Sequence, residues 1–137
     1  MKYLRYLLLF LGHLWALPHS LFGFLLCITV YWPKSIRFRS GAIEVVVYKD
    51  HLIPKGLDNF RTGGQTHGAF MFFADERCRD DVGLNSHERV HILQTMIFGG
   101  VLYPLLYGLS CLIGLLRGKS ATMAYWDNWF ERWARHE

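Results

Sequence analysis

Two long stretches of this chain carry no charge: residues 6–33 and residues 90–116 contain no Asp, Glu, Lys or Arg. Each exceeds the roughly 20 residues that take a helix across a bilayer core, so membrane association follows from length and charge alone. Cysteine is also scarce. There are three, an odd number, with Cys27 and Cys111 inside the uncharged stretches and Cys78 isolated in a polar segment. That pattern offers neither a disulfide framework nor a C-x-x-C metal motif. The net charge of +4 is small and the basic residues are dispersed, which leaves no footprint for nucleic acid. Internal repeats and low-complexity tracts are absent.

The composition is instead apolar (52%) and aromatic (16%), above the usual share for a small soluble domain. Lys2, Arg5, Lys34, Arg37 and Arg39 flank the first uncharged stretch, where they can meet anionic headgroups. That stretch is too long for the apolar core of a signal peptide and has no small-x-small cleavage site before Pro33, so a retained anchor over residues 1–33 is expected. Leu17-Pro18-His19-Ser20 and Gly23 interrupt it, giving either one kinked helix or a re-entrant helical hairpin. His13 and His19, inside it, are expected to serve packing or headgroup contact.

Residues 34–137 then read as an α+β zinc domain. Ile36 to Arg39 alternate, Ser40-Gly41 marks a turn and Ile43–Tyr48 is a β-branched run, which predicts a hairpin. After a loop rich in Gly, Pro and Asp, His67–Ala74 predicts a third short strand, for a small antiparallel sheet of about three strands. Asn85 stands three residues before Glu88, a capping-box spacing that starts a helix near the sequence H-E-R-V-H and carries it to about Phe98. Gly99-Gly100 follows, then a second, membrane-embedded apolar helix over 101–116 that Pro104 starts or kinks. Tyr125, Trp126, Trp129, Phe130 and Trp133 fit one amphipathic C-terminal helix.

The chemistry lies in His87-Glu88-Arg89-Val90-His91. Residues four apart share a helix face, so His87 and His91 can offer two imidazole nitrogens to one tetrahedral ion. Glu88, beside the first ligand, is placed to take a proton from water that the metal acidifies. A third ligand is needed, and beyond His91 the candidates are Asp127, Glu131, His136 and Glu137. Glu131 is favoured; its competing role is a surface ion pair with Arg135 at i+4. If residues 92–116 crossed the bilayer once, Glu131 would emerge on the wrong side. The two helices are therefore expected to fold back at Gly99-Gly100, with the metal at the membrane surface. His67, in a Gly-rich strand entry, is a candidate either for lining the site or for a partly buried structural role.

Several segments together resemble a known pattern: Leu17-Pro18 with Leu21-Phe22-Gly23, His67-Gly68, His87 to Gln94 (H-E-R-V-H-I-L-Q), and Tyr125 to Ala134 (Y-W-D-N-W-F-E-R-W-A). Over nearly the whole chain they resemble small bacterial membrane proteins with an H-E-R-x-H-x-x-Q core, and through them the gluzincin metallopeptidases, including the membrane-bound CAAX-prenyl endopeptidases. The resemblance implies one Zn2+ held by His87, His91 and Glu131, with Glu88 catalytic. It makes Tyr125 and Asn128, with His67, candidates for touching substrate or supporting the ligands. It also implies a sheet edge that pairs with an extended peptide, and residence in the bacterial inner membrane. Gluzincins of this type often place an Asp four residues after the third ligand; here that place holds Arg135.

Two functions follow. The first is a membrane-bound zinc peptidase acting on a peptide or membrane-protein substrate near the bilayer surface. The second is a non-enzymatic subunit or assembly factor of a larger membrane complex, in which the metal pins the C-terminal helix. Two His and one Glu also suit iron or manganese.

Overall fold

The computed structural model describes residues 2–48 and 63–135. The loop expected between the second and third strands, and the candidate ligands His136 and Glu137, lie outside or largely outside those residues. Within them the fold is α+β, with seven helices and a four-stranded mixed sheet.

The first uncharged stretch, with the basic residues that precede it, forms α1 (Lys2–Trp15) and α2 (Leu17–Thr29), which meet at 66°. Pro18, in the first turn of α2, lacks the N–H that would continue the α1 ladder. Strands β1 (Pro33–Arg39) and β2 (Ala42–Val47) form the expected hairpin. Ser40 (φ 49) and Gly41 (φ 79) make its two-residue turn, the left-handed pair that suits a twisted hairpin.

The strand expected over His67–Ala74 is β4 (Phe70–Phe73), and a fourth strand that was not expected, β3 (Gly64–His67), precedes it, the two joined at Gly68 with φ 62. The sheet is not purely antiparallel either, since β4 pairs parallel to β2, in the order β1-β2-β4-β3. Both departures share a cause. H-G-A-F-M-F-F-A looks like one apolar run, but Gly68 reverses the chain, and the partner of Phe70–Phe73 lies far away in sequence.

Alternation divides the sheet into two buried faces. Val45, Val47 and Phe72 pack with Cys27 and Tyr31 at the α2 side. Ala42, Met71 and Phe73 pack with Ile92 of α4 (Val82–Phe98) on the other. A short α3 (Glu76–Asp80) leads into α4. Asp81, not Asn85, caps α4: its Oδ1 accepts from Leu84 N at 2.7 Å. Asn85 lies inside the helix, donating to Glu44 Oε1 (3.2 Å) and Arg79 O (3.0 Å).

After α4 the chain turns through 113° into α5 (Leu102–Leu116). Gly99, at φ 87, makes the reversal, and Gly100 N donates to Trp15 O at 3.0 Å. A Cβ on Gly100 would lie 2.7 Å from Ala16 O, so the two bends pack against one another only because glycine stands there. The C-terminal segment is two helices rather than one, α6 (Ala121–Trp126) and α7 (Trp129–Arg135). Asn128 breaks them apart by accepting from Phe130 N at 2.9 Å.

No single helix among the described residues is long and apolar enough to cross a membrane. At 1.5 Å per residue α1 and α5 are about 21–22 Å long, against about 30 Å of hydrocarbon.

Candidate metal centre

His87 and His91 sit one turn apart on α4, and the fold-back of α5 with the return of α6 and α7 delivers Glu131 to them. The three side chains form a group whose ligand atoms lie within 4.8 Å of one another. His87 Nε2 is 3.1 Å from His91 Nε2 and 3.2 Å from Glu131 Oε2, and His91 Nε2 is 3.3 Å from Glu131 Oε1. Ligands on a tetrahedral ion with bonds of about 2.0–2.1 Å are separated by about 3.3 Å. The two imidazole nitrogens stand at such an edge, and each lies about that far from a different oxygen of the Glu131 carboxylate, a spacing that could hold a metal ion. Asp127, the other downstream candidate among the described residues, is held away on the surface by Lys119 at 2.6 Å.

The proton arrangement fits the same reading. Gln94 Nε2 donates to Phe130 O at 2.9 Å, which turns Gln94 Oε1 toward His91 Nδ1 at 2.8 Å. Nδ1 must then carry the proton, and the Nε2 lone pair is left facing the other ligands. Tyr103 OH lies 3.1 Å from the same Nδ1. Glu131 is 3% exposed. Its Oε1 accepts from Tyr107 OH at 2.7 Å, while Oε2 is buried without an aligned donor despite the nearby His87 nitrogen. Close but unaligned nitrogen and oxygen atoms are what a shared ion between them would explain. Burial works against the Glu131 carboxylate, yet the adjoining His87 and His91 rings and the Tyr107 hydroxyl hold it well below the usual carboxylate range.

Glu88 is buried beside the group and takes no part in it. Its Oε2 accepts from Thr66 Oγ1 at 2.6 Å. β3 comes this close because position 64 is glycine: a Cβ there would be 2.8 Å from Glu88 Oε1. Burial raises the Glu88 pKa, and Glu131 adds to the rise, against the opposing pull of His91, Thr66 and His87. A cavity of about 520 Å³ is lined by Glu88, His91 and Glu131 together with the β3 edge and Tyr107 and Tyr125.

The remaining sequence candidates separate. Tyr125 hydrogen-bonds Glu131. Asn128 is fully buried; its amide donates to Tyr107 O and Cys111 Sγ, both at 3.1 Å, which ties α7 to α5 and so positions Glu131. His67 lines the cavity but is not in the metal group. By strand alternation its ring lies on the α2 face, opposite Thr66, with Nδ1 3.3 Å from His19 Nε2. Burial and the proximity of His19 push the His67 pKa down to about 4. Arg135, in the place of the expected Asp, stacks over Trp126 and bonds its carbonyl; its contact with Glu131 is only 3.8 Å.

Tyr103, Tyr107 and Thr66 were not singled out by the sequence, and Gln94 entered only as the end of the H-E-R-x-H-x-x-Q pattern, without a role. Gln94 carried a signal, a polar residue at i+3 from His91 on a helix otherwise turning apolar. Tyr103 and Tyr107 carried none that distinguishes them from ordinary aromatic packing.

Searches of protein-family models, curated proteins and solved structures return no match for this chain.

Proposed function

We propose that the chain is a membrane-bound zinc metallopeptidase that hydrolyses a peptide bond at the membrane surface. One observation carries this reading. Two imidazoles and a carboxylate converge closely enough to hold one metal ion, and a buried Glu88 outside that group lines the same cavity as His91 and Glu131. Two His and one Glu with a vacant position are a catalytic zinc set, and bound zinc supplies a Lewis acid that polarises a carbonyl and acidifies water near neutral pH.

The residues divide the remaining work. Glu88, held by Thr66, accepts the proton of the attacking water and returns it to the leaving amine. Gln94 and Tyr103 fix the His91 tautomer, and Tyr107 and Tyr125 hold the Glu131 carboxylate in its ionised form. Among the described residues β3 is one of the two edge strands, the other being β1, and the β3 backbone beside Glu88 suits an extended peptide.

The test is elemental analysis of purified wild type, His91→Ala and Glu131→Ala, followed by peptidase assays of Glu88→Gln. About one zinc per chain in wild type, lost in both ligand variants, is expected. Glu88→Gln should keep its metal and lose hydrolysis by about 10²–10⁴-fold. The depth of burial of His91 and Glu131 favours a second reading, a structural metal that fastens α7 to α4 in a membrane complex. In that case Glu88→Gln changes no function.

A further inference from the structure

Among the described residues, imidazole nitrogens meet at close range in a second place besides α4. The rings are those of His19 on α2 and His67 on β3, 48 residues apart in sequence. His19 Nε2 lies 3.3 Å from His67 Nδ1, with the ring planes at 84°. The corresponding values for His87 and His91 are 3.1 Å and 86°. Glycine makes the approach possible. A Cβ on Gly23 would lie 2.5 Å from His67 O, and one on Gly68 would collide with Ser20, whose Oγ accepts from Ala69 N at 3.1 Å. α2 is thereby seated on the β3–β4 turn, and the two rings are held together in advance of any ligand.

A hydrogen bond between the rings does not by itself account for the pair. The other nitrogen of His19, Nδ1, is buried with no partner among the described residues, and the residue as a whole is 7% exposed. A pair that only filled the core would strand this polar atom, where a phenylalanine would pack without that cost. Both rings instead line the cavity of about 520 Å³ that His91 and Glu131 also line. Burial and the proximity of His19 keep His67 neutral at pH 7, with a pKa of about 4, and the neutral imidazole is the form that binds metals.

We infer that His19 Nε2 and His67 Nδ1 form a second metal site, for a tetrahedral divalent ion of the zinc type whose remaining positions open into the cavity and take water or a carboxylate. Two bonds of about 2.0–2.1 Å at the tetrahedral angle place their nitrogens about 3.3 Å apart, whereas a linear copper(I) site between two imidazoles needs about 4 Å. This site is the weaker of the two. It has no carboxylate ligand among the described residues, and His19 Nδ1 has no acceptor there, whereas His91 Nδ1 has Gln94. The missing outer partner alone is worth about 10–100-fold in affinity. The inference is independent of the peptidase reading, since it requires neither Glu88 nor hydrolysis.

The test is zinc titration of the full chain in detergent, stripped of metal and read against a chromophoric chelator, for wild type, His91→Ala, His19→Phe and the double variant. Wild type should take up about two zinc ions per chain, the second at least about 10-fold more weakly. His91→Ala should keep the weaker ion, His19→Phe the tighter one, and the double variant neither; His67→Phe should repeat the His19→Phe result. Zinc should raise the Tm of His91→Ala and leave that of the double variant unchanged. Retention of the tighter ion shows that His19→Phe is folded, and its metal-free Tm should not fall, because the substitution removes a stranded nitrogen and keeps a ring. A lowered metal-free Tm with an unchanged titration would make the contact a structural hydrogen bond and overturn the inference. Weak uptake that persists in the double variant would also overturn it, by placing the ion on other histidines. Failure of the α4–α7 centre reads differently: one weak ion, kept in His91→Ala and lost in His19→Phe, would remove that centre and leave this site standing.

Discussion

At the scale of single residues, the centre depends on where one proton sits. His91 offers Nε2 to the other ligands only if Nδ1 is protonated, and Gln94 Oε1 at 2.8 Å enforces that tautomer. Gln94 is in turn fixed by its donation to Phe130 O, the backbone just before Glu131. One side chain thus orients a ligand on α4 and anchors the element carrying another. Replacing Gln94 by Leu keeps the bulk and removes both bonds, so zinc affinity should fall about 10–100-fold, read by competition with a chromophoric chelator. Unchanged affinity would assign the tautomer to Tyr103 instead. The pairing of His87 with His91 in the candidate group was legible, because H-E-x-x-H encodes that geometry in helical spacing, whereas nothing local places Glu131 beside them. The supports of the group were not legible, since Tyr103, Tyr107 and Thr66 reach the site through tertiary packing that no local pattern announces.

At the scale of elements, the position of α4 on the sheet is set by a buried carboxylate. Glu44 of β2 is fully buried and accepts from Arg37 Nε (2.7 Å), Asn85 Nδ2 (3.2 Å) and Arg89 Nη2 (2.6 Å). Arg89 also reaches the β1–β2 turn at the carbonyls of Arg39 and Ser40. The residue between Glu88 and Val90 in the motif therefore clamps the motif helix to the hairpin. Burial alone would raise the Glu44 pKa, but the hydrogen bonds from Arg37, Asn85 and Arg89 and the Arg37 charge lower it below 4.5. A carboxyl depressed by folding contributes stability that is present above its unfolded pKa and lost as pH falls through the folded value. Glu44→Gln should lower stability at pH 7 by about 2 kcal/mol, a charged hydrogen-bond network discounted for its partly exposed arginines. Its urea midpoint should then fall less steeply than that of wild type below about pH 4.5; parallel acid limbs would remove Glu44 as the cause. The sequence shows Glu44 only as a polar interruption in a β-branched run. The β1–β2 hairpin was readable because its partners are local, whereas the parallel β2–β4 pairing and the Asn128 break between α6 and α7 depend on contacts distant in sequence.

At the scale of the whole molecule, α1 and α5 leave most of their apolar side chains exposed. α1 has no buried residue, and α5 buries only Tyr103 and Gly114; apolar patches of that extent mark an interaction surface. Lipid is the partner we propose, since α5 carries no charge and α1 only Lys2 and Arg5 in its first turn. Each is shorter than a bilayer core. The two bent pairs pack bend to bend at Gly100 and Trp15, so their free ends are the parts left to enter the bilayer. This arrangement makes a sharp demand on sidedness. His87 and Glu131 can meet only if the segment before α4 and the segment after α5 lie on the same side of the membrane. In a chain with its three cysteines replaced by alanine, single cysteines at Arg77 and at Arg132, both exposed, should react with an impermeant maleimide from one and the same face of sealed vesicles. Labelling from opposite faces would make residues 90–116 a true crossing, separate His87 from Glu131 by the thickness of the bilayer, and dissolve the candidate metal centre.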